Sequence, residues 1–229
     1  MKIIGLVGGI SWVSTIDYYR YINIAVNDKF GGLNYAECII YSLNYAEVIK
    51  HNTSQDFEGT YKLMLNAATQ LKNSGVALII LCANTMHMFA DRLQNEINLP
   101  VIHIAVATAN AIKEKQLGKV GLLGTKFTME LDFFKDKLKK QNIETIIPNE
   151  EDRAFIHTTI FDELGKGIIL EETKQRYRAI IEKLIDNGAE GIIAGCTEIP
   201  LIIKQEDISV PLFDTTYIHS IAAVQYAMK

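Results

Sequence analysis

The chain repeats itself, and that repetition constrains its fold more than any other feature. Gly5-Leu6-Val7-Gly8-Gly9 is echoed by Gly121-Leu122-Leu123-Gly124-Thr125, 116 residues further on. Asn73-Ser74-Gly75 and the apolar run behind it return as Asp186-Asn187-Gly188 and its run, 113 residues on. Leu99-Pro100-Val101-Ile102-His103 matches Val210-Pro211-Leu212-Phe213-Asp214 at an offset of 111. Any one match is ordinary, but three in the same order imply two copies of one folding unit. Offsets drift when loops differ in length between copies. No proline- or serine-rich linker separates the halves, so packed lobes are expected rather than tethered domains.

Within each copy, apolar runs of about four to eight residues alternate with longer amphipathic segments. That is the grammar of βαβ units and a mostly parallel sheet. The expected fold class is α/β, with two similar lobes, each a mostly parallel sheet flanked by helices, related by pseudo-twofold duplication. Strands are predicted at 2–7, 37–42, 76–82, 101–104, 120–123, 144–147, 191–194 and 211–213. Helices are predicted at 15–27, 56–73, 86–96, 105–115, 128–140, 152–164, 172–186 and 217–228.

Composition excludes several function classes. A net charge of −4 gives no basic footprint for nucleic acid or an anionic membrane, and Asp136 interrupts the lysines at 135, 137, 139 and 140. No apolar stretch approaches the roughly 20 residues that span a bilayer. The first residues lack a signal-peptide cleavage pattern and read as a strand running into a glycine turn. Cys38, Cys82 and Cys196 are too widely spaced for a disulfide framework or a zinc site. A reducing cytoplasm is the expected location.

Ligands of open parallel sheets gather beyond the carboxyl ends of the strands. Four predicted loops lie there, at 8–15, 83–87, 124–128 and 195–198. Their glycines let backbone amides approach a ligand, and helix starts behind them favour an anion. Gly8-Gly9 does not belong to a dinucleotide fingerprint, because Ile10 and Val13 stand where later glycines are needed. No phosphate-binding lysine–hydroxyl pair follows either, which argues against nucleotide cofactors.

Cys196 is the sharpest candidate for chemistry. It follows its strand, is preceded by Gly195, and stands before what reads as a helix start at Thr197-Glu198. Such a start is expected to lower the thiol pKa and favour the reactive thiolate. The position matching Cys196 in the first copy, 113 residues earlier, is Ala83. Cys82 belongs to the strand itself, so alternation should point it away from the direction taken at 83. Cys38 lies within a strand and reads as packing. Asn84, Thr85 and Thr197 are short polar side chains at strand ends, suited to orienting a carboxylate or amine or to capping a helix. His87 reads as a supporting residue and not as a base. His103 and Asp214 occupy matching places in the two copies. Lys166, between Gly165 and Gly167, is a loop cation able to hold a distal carboxylate.

Gly8-Gly9-Ile10-Ser11-Trp12-Val13-Ser14-Thr15 with Tyr18-Tyr19-Arg20, then Ala83-Asn84-Thr85-Met86-His87, then Gly195-Cys196-Thr197-Glu198-Ile199 resemble the aspartate/glutamate racemase family over essentially the whole chain. The resemblance implies a cofactor-independent enzyme in which two residues, usually both cysteines, take and return the α-proton from opposite faces. It also implies that the C-terminal helix returns to the first lobe, giving lobes of 1–103 with 215–229 and of 104–214, and a homodimer. Cys196 then looks like the thiol of one face, and Ala83 stands where the other belongs, unable to donate or accept a proton. Substrate contacts would fall on Ile10, Ser11, Asn52, Asn84, Thr85, Thr197 and Lys166. The implied substrate is a dicarboxylic amino acid, aspartate or glutamate, turned over L-selectively or weakly because the second catalytic position is Ala83. Two other expectations compete: a single-cysteine decarboxylase or isomerase of the same superfamily, and a relative that binds amino acids without catalysis.

Overall fold

The computed structural model describes residues 1–54 and 56–229. The chain divides into two compact units, Met1–His103 with His219–Lys229, and Ile104–Ile218.

In the first unit, β1 (Ile4–Gly8) lies between β2 (Cys38–Ser42) and β3 (Leu78–Leu81), all parallel. The chain around them forms helices α1 (Trp12–Phe30), α2 (Tyr45–Thr53), α3 (Phe57–Asn73) and α4 (Ala90–Ile97), with a 3₁₀ turn at Thr85–Phe89. Side chains alternate across the sheet as strand geometry requires. Val7, Ile79 and Leu81 join Tyr61, Met64, Leu71 and Leu93 in one core, on the side of α3 and α4. Ile4, Leu6, Leu78, Ile80 and Cys82 join Tyr18, Ile22 and Val26 of α1 in the other. A parallel sheet covered on both faces needs apolar residues at every position, and β1 and β3 supply them.

The second unit repeats the plan. After α5 (Ile104–Glu114) come β4 (Lys119–Gly124), α6 (Lys126–Glu130), α7 (Asp132–Lys139), β5 (Glu144–Ile146), α8 (Glu150–Asp162), α9 (Glu171–Asp186), β6 (Ile192–Gly195), the four-residue α10 (Ile199–Ile202) and β7 (Leu212–Asp214); α11 (Thr215–Ala227) then starts in this unit and from His219 on belongs to the first, packed against β1 and α1. The sheet order is β5-β4-β6-β7, again parallel. Leu123, Ile192 and Ala194 face a core with Ile156, Tyr177 and Ile181, while Val120, Leu122, Ile193 and Phe213 face one with Ile112, Phe134 and Leu138.

Strand register carries the duplication to single residues. Gly5 pairs with Ile79, and Gly121, 116 residues on, pairs with Ile192, 113 residues on from Ile79. The bridge between Ile79 and Val101 likewise maps onto the pairing of Ile192 with Leu212. Turn chemistry is duplicated too, since Gly75 and Gly188 close α3 and α9 at φ of +85° and +90°.

Three sequence expectations are corrected. The strand predicted at 101–104 shrinks to the single bridge at Val101, because Ile104 already starts α5. The helix predicted at 128–140 is two helices, broken at Leu131 with ψ of 156°. Lys135 Nζ donates to the Glu130 carbonyl at 3.0 Å, which gives that carbonyl a partner at the break, and Arg153 holds the Glu130 carboxylate. The region predicted as one helix at 86–96 begins as the 3₁₀ turn and becomes α-helical only at Ala90. Helix α2 went unpredicted, although Asn44, whose side chain accepts from Ala46 N, with Glu47 after it is an N-terminal signature. Among the described residues, no helix is long and apolar enough to cross a membrane.

The two kinds of positive-φ glycine should differ in cost. A Cβ at Gly75 meets no atom, so Gly75→Ala pays only for left-handed backbone, about 1–2 kcal/mol. At Gly9, φ +85°, a Cβ would stand 2.2 Å from the Leu43 carbonyl oxygen. Gly9→Ala should therefore destabilise by about 2 kcal/mol beyond Gly75→Ala. Urea unfolding of both variants checks the ranking, and equal losses would show that the Gly9 turn yields freely.

Candidate active site

In the first unit, β1 and β3 run side by side, so the loops that follow them are neighbours. Ser11 caps α1 by accepting from Ser14 N at 3.3 Å. Ser14 Oγ donates to the Cys82 carbonyl at 3.0 Å and ties the two loops together. Gly9 N donates to Thr15 Oγ1, which donates in turn to the Ser11 carbonyl, holding the glycine turn rigid. Ile10 and Asn84 are buried, and Ala83 and Thr85 are half-buried. These structural links bring Ile10, Ser11, Ala83, Asn84 and Thr85 to one edge of the sheet. Asn52, near the end of α2, is engaged elsewhere, its Oδ1 accepting from Thr60 of α3 at 2.8 Å.

Under this edge lies a buried imidazole cluster. His87 donates from Nδ1 to the Ala83 carbonyl at 3.0 Å, so its Nε2 carries the lone pair. That Nε2 is buried and, among the described residues, has no hydrogen-bond partner. His219 Nε2 donates to the Ile102 carbonyl at 2.7 Å, which fixes its tautomer and leaves Nδ1 to accept from Tyr18 OH at 2.8 Å. The His87 ring lies 5.0 Å from that of His219 and 5.1 Å from that of His103. His87 thus supports position 83 through its backbone. Asp214, the counterpart of His103, instead caps α11 by accepting from Thr216 N at 2.9 Å.

In the second unit, Gly124 and Gly195 are paired at the ends of β4 and β6. A Cβ on Gly195 would sit 2.7 Å from the Leu123 carbonyl oxygen, and one on Gly124 would sit 2.9 Å from that of Gly195. Only glycine permits this approach, and Cys196 follows directly from it. Cys196 is half-buried, and its Sγ donates to Glu198 Oε2 at 2.8 Å. Thr197 Oγ1 donates to the same oxygen at 2.8 Å. Lys166 stands exposed in the segment after α8, 3.6 Å from the Asp162 carboxylate.

The expectation of a lowered Cys196 pKa is overturned. Helix α10 begins only at Ile199 and lasts four residues. Burial raises the thiol pKa well above its ordinary value, and the Glu198 charge and hydrogen bond add to it; the Thr197 and Glu198 backbone amides pull down but lose. Cys196 therefore rests as a neutral thiol. Glu198 is the candidate residue that sequence reading does not single out. Its signal in the sequence is a carboxylate two residues beyond the cysteine, which a helix start there also explains. Cys82 is packed among Ile4, Leu6 and Tyr18, on the face opposite the core that Ala83 borders, and burial holds its thiol protonated. Among the described residues, no group of three or more His, Cys, Asp or Glu side chains is placed to hold a metal ion.

Each unit ends its central strand, β1 or β4, in a glycine, and in the second unit a thiol follows the neighbouring strand β6. The Asp/Glu/Hydantoin racemase family model matches residues 7–223, and the chain belongs to that family. A Yersinia pestis protein described as a candidate Asp/Glu racemase has a crystal structure that is 46% identical, covering 100% of both chains with a TM-score of 0.95. An aspartate racemase homologue from Pyrococcus horikoshii OT3 is 39% identical, covers 100% of both chains and gives a TM-score of 0.88. The broad specificity amino-acid racemase RacX of Bacillus subtilis strain 168 is 24% identical over 93% of this chain and 92% of its own.

The histidine cluster should make the first unit acid-sensitive. Burial lowers the His87 pKa from 6.5 to about 4 and holds His219 well below 6.5. Unfolded chains bind these protons below about pH 6.5, whereas the folded unit resists them. Stability is therefore full above that pH and is lost as pH falls toward 4, by about 3 kcal/mol for His87 alone. Urea midpoints at pH 7.5 and 4.5 should show the loss, and His87→Gln should reduce it. An unchanged loss in the variant would assign the acid sensitivity elsewhere.

Proposed function

We propose that the chain is a cofactor-independent amino-acid racemase acting on aspartate or glutamate, with Cys196 as its proton-transfer group. The observation that carries this reading is the Cys196 thiol at the end of β6, held by a carboxylate and preceded by a glycine that lets the backbone close in. Family membership and racemase relatives support the reaction class. Removing an α-proton leaves a carbanion without a strong electron sink, so donors around the substrate carboxylate must stabilise developing charge. Ile10, Ser11, Asn52, Asn84, Thr85, Thr197 and Lys166 are the proposed contacts, Asn52 exchanging its bond from Thr60 and Lys166 its pairing with Asp162 for the substrate; the Lys166 cation answers a side-chain carboxylate.

Position 83 limits the reaction. Its methyl exchanges no proton, and loss of one positioned acid or base typically costs about 10²–10⁴-fold in rate. Turnover should therefore be slow and unequal between enantiomers. The same methyl favours a second reading, an amino-acid-binding relative without catalysis.

Hydrogen exchange at Cα in deuterated water separates the two. Aspartate and glutamate, each as both enantiomers, should show exchange of at least one isomer, falling about 100-fold or more in Cys196→Ser. Binding in a thermal-shift titration with no exchange above that control would establish the binding reading. Ala83→Cys should raise racemisation about 100-fold or more if only the second acid is missing. Unchanged racemisation in a folded Ala83→Cys protein would mean that position 83 is not the missing partner.

A further inference from the structure

We infer that Glu198 is the positioning residue that governs the proton on Cys196, holding the resting sulfur as a thiol and accepting its proton when the sulfur acts as a base. The geometry is specific. One carboxylate oxygen receives both the Cys196 Sγ–H and the Thr197 hydroxyl, each at 2.8 Å. Thr197 holds Oε2 in place, so the oxygen is fixed against the sulfur. Glu198 stands at the start of α10, yet its side chain makes no capping bond there, so helix capping does not account for its orientation.

The chemistry follows from that contact. The Sγ–H bond breaks, its electron pair stays on sulfur, and the proton forms an O–H bond with Oε2. The thiolate pair then bonds the α-hydrogen of the amino acid while the C–H pair passes to the α-carbon. On return, the new S–H proton goes to the carbanion and Oε2–H gives its proton back to sulfur. Charge is conserved at each step, and solvent deuterium enters through the exchangeable S–H and O–H. While Oε2 holds that proton it is a neutral donor to the thiolate, so the pair carries one negative charge throughout. The other titratable groups of the surrounding elements do not compete for this proton. Tyr177 of α9 keeps its own, its hydroxyl engaged with Thr159 at 3.0 Å, and Glu163 at the end of α8 accepts from Thr173 at 2.7 Å.

The inference rests on the proposed role of Cys196, and its test separates the two. Iodoacetamide alkylation of the full chain is followed against pH, read by mass spectrometry at the Cys196 peptide so that Cys38 and Cys82 do not contribute. In the wild type the alkylation midpoint should lie above the ordinary thiol value of about 8.5. A midpoint at or below that value overturns the inference without recourse to any variant. Glu198→Gln should move the midpoint down by about one pH unit or more, and Glu198→Asp should keep most of the elevation. An unmoved midpoint in a Glu198→Gln protein whose circular dichroism is native also overturns it. Where Cα exchange is measurable, Glu198→Gln should slow it at least about tenfold while alkylation at pH 7 becomes faster. Simple damage to the site does not produce opposite signs, and slowing of both is the contrary result. Absence of exchange in the wild type removes the proposed function, while the midpoints still decide the Cys196–Glu198 pair.

Discussion

Burial of the central strands on both faces is the constraint on which everything else depends. β1 and β4 are enclosed by cores on either side, so their side chains have no freedom to be polar. Polar chemistry is thereby confined to where the strands stop. There the backbone turns sharply, and glycines at 9, 124 and 195 allow main chains to approach more closely than any Cβ would permit. The residues with chemical potential, Ser11 and the 83–85 segment in one unit and Cys196 with Thr197 in the other, all sit just past such a stop.

The two units then diverge in what supports the strand end. At position 83 the methyl is backed by a neutral imidazole bonded to its own carbonyl, and that imidazole lies against two others in a buried cluster. At position 196 the thiol is backed by a carboxylate. One unit places aromatic nitrogen behind an inert group, and the other places negative charge behind a reactive one. The scaffold is shared between the units, and the groups behind the two strand ends differ.

Much of this was legible in the order of residues. Alternation of apolar runs with amphipathic segments indicated parallel sheets, and the offsets between repeats anticipated strand register to the residue, as Gly5–Ile79 and Gly121–Ile192 show. Element ends were less legible. Nothing local in 128–140 marks the break at Leu131, because the lysine and arginine that satisfy Glu130 act only once the fold places them. The site was legible as a set of loops and illegible as electrostatics.

Sequence by itself determined the α/β class, the duplication and the mismatch between Cys196 and Ala83, because periodicity, repeat order and residue identity are properties of the chain. Tertiary structure decided the protonation of Cys196. A helix start and a carboxylate pull a thiol in opposite directions, and only coordinates show that the helix begins too late while Oε2 lies 2.8 Å from the sulfur. Likewise, three histidines spread from 87 to 219 become one buried cluster only when α11 lies beside the first sheet.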